Sequence, residues 1–267
     1  MTRQLSALMV FAMSFAFAGS CFAQSDDMPD EGWEFKVTPY FLAAGLDGKT
    51  GVASVTTDID VPFSEVFDHL DAGFMMAATA RRGRWILGLD ALYFKLSGAD
   101  SKTVSGPFGV ITVEGTVDLT VTQQLYQPTI AYRAFAESDA PLLDVYVAAR
   151  YTRLDTEMTL TSTTSIPSFP NGTRQLDGDV SWWDPVIGKR TTIRVTDHLF
   201  GTTIVDVGGF GVGSDVTYQW LVAAGWHFTN SISTSAGYRY LKQDYDKDGF
   251  VWDMVARGFI LGVGIEF

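Results

Sequence analysis

The stretch VTYQWLVAAGWHF, residues 216–228, alternates with a period of two. Val216, Tyr218, Trp220, Val222, Ala224, Trp226 and Phe228 are apolar, while Thr217, Gln219, Ala223, Gly225 and His227 between them are polar or small, Leu221 excepted. That period puts each set on its own face of a β-strand and excludes an amphipathic helix. Aromatic side chains stand at both ends of the apolar face. At about 3.3 Å per residue and a tilt near 40°, the ten steps from Tyr218 to Phe228 raise a stripe roughly 25 Å tall. This is the height of a hydrocarbon band with an aromatic belt at each interface.

The next run, SISTSAGYRYLK, supplies a partner strand. A turn over 229–231 pairs Phe228 with Ile232, Trp226 with Thr234, Val222 with Tyr238 and Trp220 with Tyr240 on the apolar face. On the other face it pairs His227 with Ser233, Gly225 with Ser235 and Leu221 with Arg239. A slip of one residue would mix the two faces. Tyr218, Trp220, Trp226, Phe228, Tyr238 and Tyr240 are the expected aromatic girdle.

The same alternation predicts ten strands near 33–45, 72–82, 84–97, 110–136, 142–160, 179–196, 198–208, 215–228, 232–245 and 250–267. Short links at RRGR, ESDAP, TDHL and FTNS mostly alternate with longer ones at 46–71, 98–109, 161–178, 209–214 and 246–249. This is the pattern of an all-β fold, a transmembrane antiparallel up-and-down β-barrel with both termini in the periplasm. An eight-strand count stays open, because 110–136 is long and its parity shifts near Gln123 and Gln124, where a bulge is expected. Lys189 falls on the outward face, so it snorkels or the register there is off by one. The rival fold is a soluble lipocalin-like barrel with the apolar stripe turned inward.

The chain closes on GFILGVGIEF. Phe259, Leu261, Val263, Ile265 and Phe267 line one face of the last strand, and a terminal aromatic preceded by alternating apolar residues resembles the recognition signal of the outer-membrane insertion machinery. A barrel pairs its last strand with its first, which places Phe267 at the periplasmic end.

The one compact apolar block, LSALMVFAMSFAFAG, follows Arg3 and precedes SCFAQSDD, the layout of a secretory leader cleaved after Ala23. It is short for a spanning helix, which needs about 20 apolar residues. The alternative, a lipoprotein box with Cys21 as the acylated terminus, has Ala18 where leucine is usual. Residues 1–23 are therefore read as the leader, 24–32 as a periplasmic segment and 33–267 as the barrel. Cleavage removes the only cysteine, which excludes disulfide chemistry. It also removes one basic residue and no acidic one, taking the formal charge from −12 to −13. So acidic a chain is unsuited to nucleic acid.

Four blocks, WEFKVTPYF, DVPFSEVFDHLDAGFMMAATARRGRWILGLDALYF, WWDPVIGKRTTIRVTDH and DVGGFGVGSDVTYQ, resemble a family of largely uncharacterised Gram-negative outer-membrane barrels within the porin-like superfamily. The resemblance implies fold and location, and carries no functional residue.

If the outward positions are right, Glu34, Lys36, Asp90, Arg133, Asp144, Arg150, Asp184, Arg190, Arg194, Arg239 and Glu266 point into the lumen. Mixed charges in a narrow barrel either knit together and close it, or leave an arginine constriction that selects small anions. DYDKDG sets Asp244, Asp246 and Asp248 at the spacing that opens a calcium loop, but Val255 stands where such loops carry glutamate, and a tight acidic hairpin tip is the plainer reading. DVGGFGVGSD fails the phosphate-loop spacing and reads as a flexible external turn. His227 beside Ser233, with Glu266 near the same rim, is weighed as a catalytic pair, but no oxyanion hole or lipid groove is legible. In PFSEVFDHLDAG, Ser64 caps a short amphipathic helix with Val66, Phe67 and Leu70 on one side, either a lid over the external mouth or a helix packed on the rim.

The expectation is a porin-like monomer passing small solutes through a narrow charged lumen. A closed barrel acting through external loops and a lipid-modifying enzyme are the alternatives. No enzymatic activity and no cofactor are expected; the partners are outer-membrane lipid and, during biogenesis, the barrel-insertion machinery.

Overall fold

A computed structural model describes residues 32–52, 55–105, 112–135, 141–164 and 172–267. The predicted leader and the segment that follows it lie outside the described residues, apart from Gly32. Among these residues eleven strands and one short helix follow in chain order: β1 Glu34–Val52, β2 Val55–Val61, α1 Phe63–Asp68, β3 Leu70–Arg82, β4 Trp85–Ser105, β5 Thr112–Phe135, β6 Leu142–Thr164, β7 Gly172–Arg194, β8 Leu199–Gly209, β9 Val216–His227, β10 Ile232–Lys247 and β11 Phe250–Glu266. All pair antiparallel in one sheet, and β11 pairs back onto β1. β2 stands apart from the wall as a hairpin on the upper half of β1, from Leu46↔Val61 to Val52↔Val55. Ten strands therefore close the barrel, and the eight-strand alternative falls away.

Hydrogen-bonded neighbours traced once round the wall run from Glu34 through Arg81, Ile86, Ala131, Tyr146, Gly188, Asp206, Gln219, Leu241 and Ala256 and return to β1 at Leu46, twelve residues further on. That stagger over ten strands sets a tilt of about 40° and a backbone radius of about 10 Å. An interior this narrow is filled by side chains alone. Closure ends on the last residue: the Phe35 N–H donates to the Phe267 carbonyl (2.9 Å), the Phe267 N–H donates to the Phe35 carbonyl (3.0 Å), and the two rings stack 5.9 Å apart.

The β9–β10 register is the one read from sequence, with Trp226↔Thr234, His227↔Ser233, Trp220↔Tyr240 and Leu221↔Arg239 all in place. Outward positions carry the exposed apolar side chains: Phe259 is 68% exposed, whereas inward Arg150 is 0% exposed. The soluble, apolar-inside alternative is thereby excluded, since it would bury the first and expose the second.

Three expectations are corrected. No bulge lies at Gln123 and Gln124, because β5 keeps one register there with both β4 and β6; the irregularity falls at Arg133/Phe135. The apparent parity shift came from Leu125, an apolar residue that points inward and is fully buried against Leu92 and Leu241. The long links at 46–71, 98–109 and 161–178 are largely strand, since β1, β4, β5, β6 and β7 run on as ladders. The sequence at 98–105 and 172–178 holds few apolar residues, so no clear period reveals a strand there. The helix is capped by Pro62 with no side-chain hydrogen bond, so Ser64 is not the cap. Phe63 and Phe67 rest on Phe41, an outward residue of β1, each with ring centroids 6.3 Å away. The helix therefore lies on the outer wall and is no lid over the mouth.

Candidate functional site

Inward side chains from seven strands meet at mid-height in a continuous polar belt. Arg150 on β6 donates to Gln127 Oε1 (2.8 Å), Thr217 Oγ1 (2.7 Å) and Asp206 Oδ1 (2.8 Å). The second oxygen of Asp206 accepts from the Tyr146 hydroxyl (2.7 Å) and from Gln219 Nε2 (2.5 Å). Gln219 Oε1 in turn accepts from Arg239 Nη2 (2.9 Å). Arg239 also reaches Asp90 Oδ2 (2.9 Å) and the Tyr40 hydroxyl (3.0 Å), which itself donates to Asp90 Oδ1 (2.7 Å). Two arginines meet two aspartates, so the belt is neutral, and each guanidinium uses several of its donors. Such a network is favourable only when nearly every member is satisfied, because an orphaned charge in this low-dielectric interior is costly.

Apolar side chains fill the space above and below the belt. Toward the hairpin end, Leu154, Trp182, Tyr245, Trp252 and Met254 form a plug, with Trp182 stacked on Tyr245 at 4.3 Å. Toward the end that holds the termini, Ile86, Ala131, Tyr146 and Val186 pack together. Below them Asp144 is gripped by Arg133 (2.8 Å) and Arg190 (2.9 Å), and Lys36 pairs with Glu266 (2.6 Å).

The predicted luminal charges thus separate into distinct units. Asp90, Arg150 and Arg239 join the belt; Arg133, Asp144 and Arg190 form one cluster, and Lys36 and Glu266 a pair. Glu34 pairs with Arg81 on an exposed edge. Arg194 is exposed at the end of β7, outside any such unit, because the strand stops at the rim there. Asp184 is fully buried but holds no cation. It accepts from the Ser214 N–H (2.6 Å) and from Trp182 Nε1 (3.0 Å), tethering the β8–β9 turn. Sequence reasoning missed Asp206, which sits at the head of the glycine run and was absorbed into the turn reading. Its inward parity with Asp184 was the available signal.

That turn is not the flexible element expected. Gly209 and Gly211 take positive φ (87° and 76°), Gly211 N–H bonds to the Ser214 carbonyl, and Lys247 Nζ bonds to the carbonyls of Gly211 and Val212. Asp184→Ala should free it: chymotrypsin added to the folded barrel should cut after exposed Phe210 about 10-fold faster or more. Unchanged cleavage in a heat-modifiable variant would show that the tether is unimportant.

The remaining candidates resolve plainly. Tyr218, Trp220, Tyr238 and Tyr240 form a stacked outward row, with Trp220 5.6 Å from Tyr238 and 5.7 Å from Tyr240, and Tyr126, Tyr151 and Trp183 continue it on β5 to β7. Trp226 and Phe228 lie on the same face near the opposite end of β9. Phe259, Leu261, Val263, Ile265 and Phe267 are all exposed on the outer face of β11. Lys189 does face outward, between Val145 and Val205, so the register is not off. Asp244 and Asp246 are alternate residues of β10, held roughly 6.6 Å apart along the strand, and Asp248 lies in the turn beyond, so they do not converge on one cation as a calcium loop requires. Ser233 faces His227, but Lys36 engages Glu266, and the imidazole packs on Phe200 at 4.6 Å, so the three do not form a relay.

No protein-family model and no curated protein sequence matches the chain. Among solved structures, the outer-membrane protease OmpT from Escherichia coli aligns over 92% of this chain and 98% of its own, with a TM-score of 0.50 at 13% identity. This chain has the fold of an outer-membrane β-barrel. The barrel of the Neisserial surface protein NspA also aligns, over 89% of this chain and 100% of its own, at 13% identity and a TM-score of 0.33. The Pseudomonas putida toluene transporter TodX covers 89% of each chain at 10% identity with a TM-score of 0.34. The expectation of no enzymatic activity is corrected here. It rested on the absence of a legible catalytic set in a narrow barrel, and OmpT is a protease built on this same fold over nearly its full length.

Proposed function

We propose that this protein is a closed outer-membrane barrel that works through the face it raises above the membrane, with both termini in the periplasm. The observation that carries this reading is the filled cross-section at mid-height, where Arg150 is wholly buried and bonded to three strands besides its own. Solute passage would require both arginine clusters and the Trp182–Tyr245 plug to part together. The hairpins supply the alternative working surface. A spanning strand needs about 9–11 residues, and β4 to β7 have 21, 24, 23 and 23. Their ladders continue beyond the Tyr126–Tyr151–Trp183 row, cross-tied where Arg153 meets Asp155 (2.8 Å) and Asp179 (3.5 Å). Hydrogen bonding and the charge of Asp155 raise the Arg153 pKa.

The test is single-channel recording on refolded residues 24–267 in a planar bilayer, with heat-modifiable migration reporting the folded barrel. Silence is the expected result. Discrete conductance steps from verified barrel would overturn the closed reading and restore the porin-like one.

A further inference from the structure

The raised part of the wall has a notch. β8 and β9 are 11 and 12 residues long, while the strands on either side of them, β7 and β10, have 23 and 16. β7 begins to pair with β8 only at Val186↔Gly208, although its ladder with β6 runs on to Ser162↔Gly172. β10 likewise keeps β11 up to Lys247↔Phe250 after leaving β9 at Asp244↔Val216. Above the β8–β9 turn, two strands are therefore missing between two that continue, a width of about 14 Å at three strand spacings. Trp182 and Tyr245, stacked 4.3 Å apart, bridge β7 and β10 at the foot of the notch. Trp183 belongs to the outer aromatic row, so residues 173–181 stand above the hydrocarbon, the farthest by roughly 25 Å.

Along 173–181, β7 has no ladder partner on the notch side among the described residues. The Trp183 and Pro185 carbonyls are turned to that side, where a Cβ added to Gly213 or Gly208 would come within 2.4 Å of them. The period of two turns the N–H and C=O groups of Thr173, Gln175, Asp177, Asp179 and Ser181 the same way, and all five residues are exposed. An open edge of this kind is a template for another strand. Its five positions carry two carboxylates and no base. Across the β6 ladder Asp177 faces Glu157 and Asp179 faces Asp155, and Arg153 beside them is held by Asp155 and Asp179. Exposed Asp215 and Asp246 flank the notch below and opposite, and Lys247 there is engaged by the Gly211 and Val212 carbonyls. At the foot, the turn presents Phe210 and Val212, 59% and 68% exposed.

We propose that the free edge of β7 takes up an extended segment of a basic polypeptide as an added strand, with its backbone pairing along residues 173–181. Main-chain hydrogen bonds supply affinity for any extended segment, and the carboxylates supply the choice. A second copy of this chain, with a formal charge of −12, is repelled by them, whereas lysine or arginine side chains set opposite Asp177 and Asp179 are drawn in. An apolar residue where the segment leaves the edge rests on Phe210 and Val212. This names a partner for the raised face and so rests on the reading given above, but it is tested without recording conductance.

The probe is a fluorescent peptide of alternating lysine and threonine, long enough to span 173–181, titrated into the folded barrel in a neutral detergent and followed by anisotropy. Because the odd residues of β7 both face the notch and carry the aspartates, the lysines of an added strand are the residues that hydrogen-bond to it. Saturable binding is expected, weakened 10-fold or more by N-methylating the lysine backbone nitrogens and less than about 2-fold by N-methylating those of the threonines. Asp177→Asn with Asp179→Asn should weaken it several-fold, as should Gln175→Pro, which removes one donor from the open edge; heat-modifiable migration verifies that each variant is folded. No binding to the wild-type barrel, or equal loss from the two methylated peptides, would overturn strand addition. Equal binding of a glutamate–threonine peptide would overturn the basic partner, and barrel dimers abolished by Gln175→Pro would assign the edge to a second copy instead. Any of these results from a barrel silent in the bilayer would leave the closed reading standing.

Discussion

Arg150→Ala should destabilise the folded barrel by about 3–5 kcal/mol, read as a shift of the urea unfolding midpoint in lipid vesicles. The magnitude follows from what is left behind. Arg150 is 0% exposed and forms an ion pair with Asp206 at 2.8 Å, whose side chain is also 0% exposed, so truncation strands a carboxylate with only Tyr146 and Gln219 as partners. Gln127 Oε1 loses a donor at the same time. Removing both charges together, as in Arg150→Met with Asp206→Asn, should recover more than half of the loss, because the penalty belongs to the unpaired charge rather than to the missing contact. A single-variant cost below about 1 kcal/mol, the level of an exposed pair, would mean that water reaches the belt and that the lumen is less closed than its packing implies.

Gly258→Val should abolish the heat-modifiable folded form altogether. Gly258 lies on β11 opposite Ala44, and a Cβ there would sit 1.9 Å from the Ala43 carbonyl oxygen and 2.5 Å from the Ala44 Cα, which are backbone atoms of the strand that closes the barrel. The clash can be relieved only by parting β1 from β11, and the unpaired edges that result are not tolerated in hydrocarbon. Gly201→Val is the matched control: its added Cβ meets nothing nearer than 4.0 Å, and it should fold. A Gly258→Val barrel that migrates as folded would show that the β1–β11 seam can shift its register.

How far these features were legible depends on the range over which each is specified. Parity is local. The alternation in VTYQWLVAAGWHF sorted inward from outward, and with a three-residue turn it set every β9–β10 pair later found in the structure. Chain-end arguments were also local, and they placed Phe267 on the closing seam, where it bonds with Phe35. The extended hairpins were misread as loops because stretches such as 98–105 and 172–178 hold too few apolar residues to show a period. The turn at 210–215 was misread because its stiffness comes from Asp184 and Lys247, residues of two other strands.

The residues themselves therefore carried the strand pattern, the outward apolar face and the closure of the last strand onto the first, since each rests on the period-two geometry of neighbouring residues. The partners across the lumen needed the closed barrel. Arg239 and Tyr40 are 199 residues apart and Arg150 and Asp206 are 56. They meet because ten strands with a stagger of twelve bring those heights together, a sum over every register that no single segment contains. The break in the β1 ladder between Pro39↔Met76 and Leu46↔Val61 has the same origin. It arises where β2 and α1 take the place of β3 beside β1, so each segment is ordinary in sequence and only their arrangement leaves the wall unzipped.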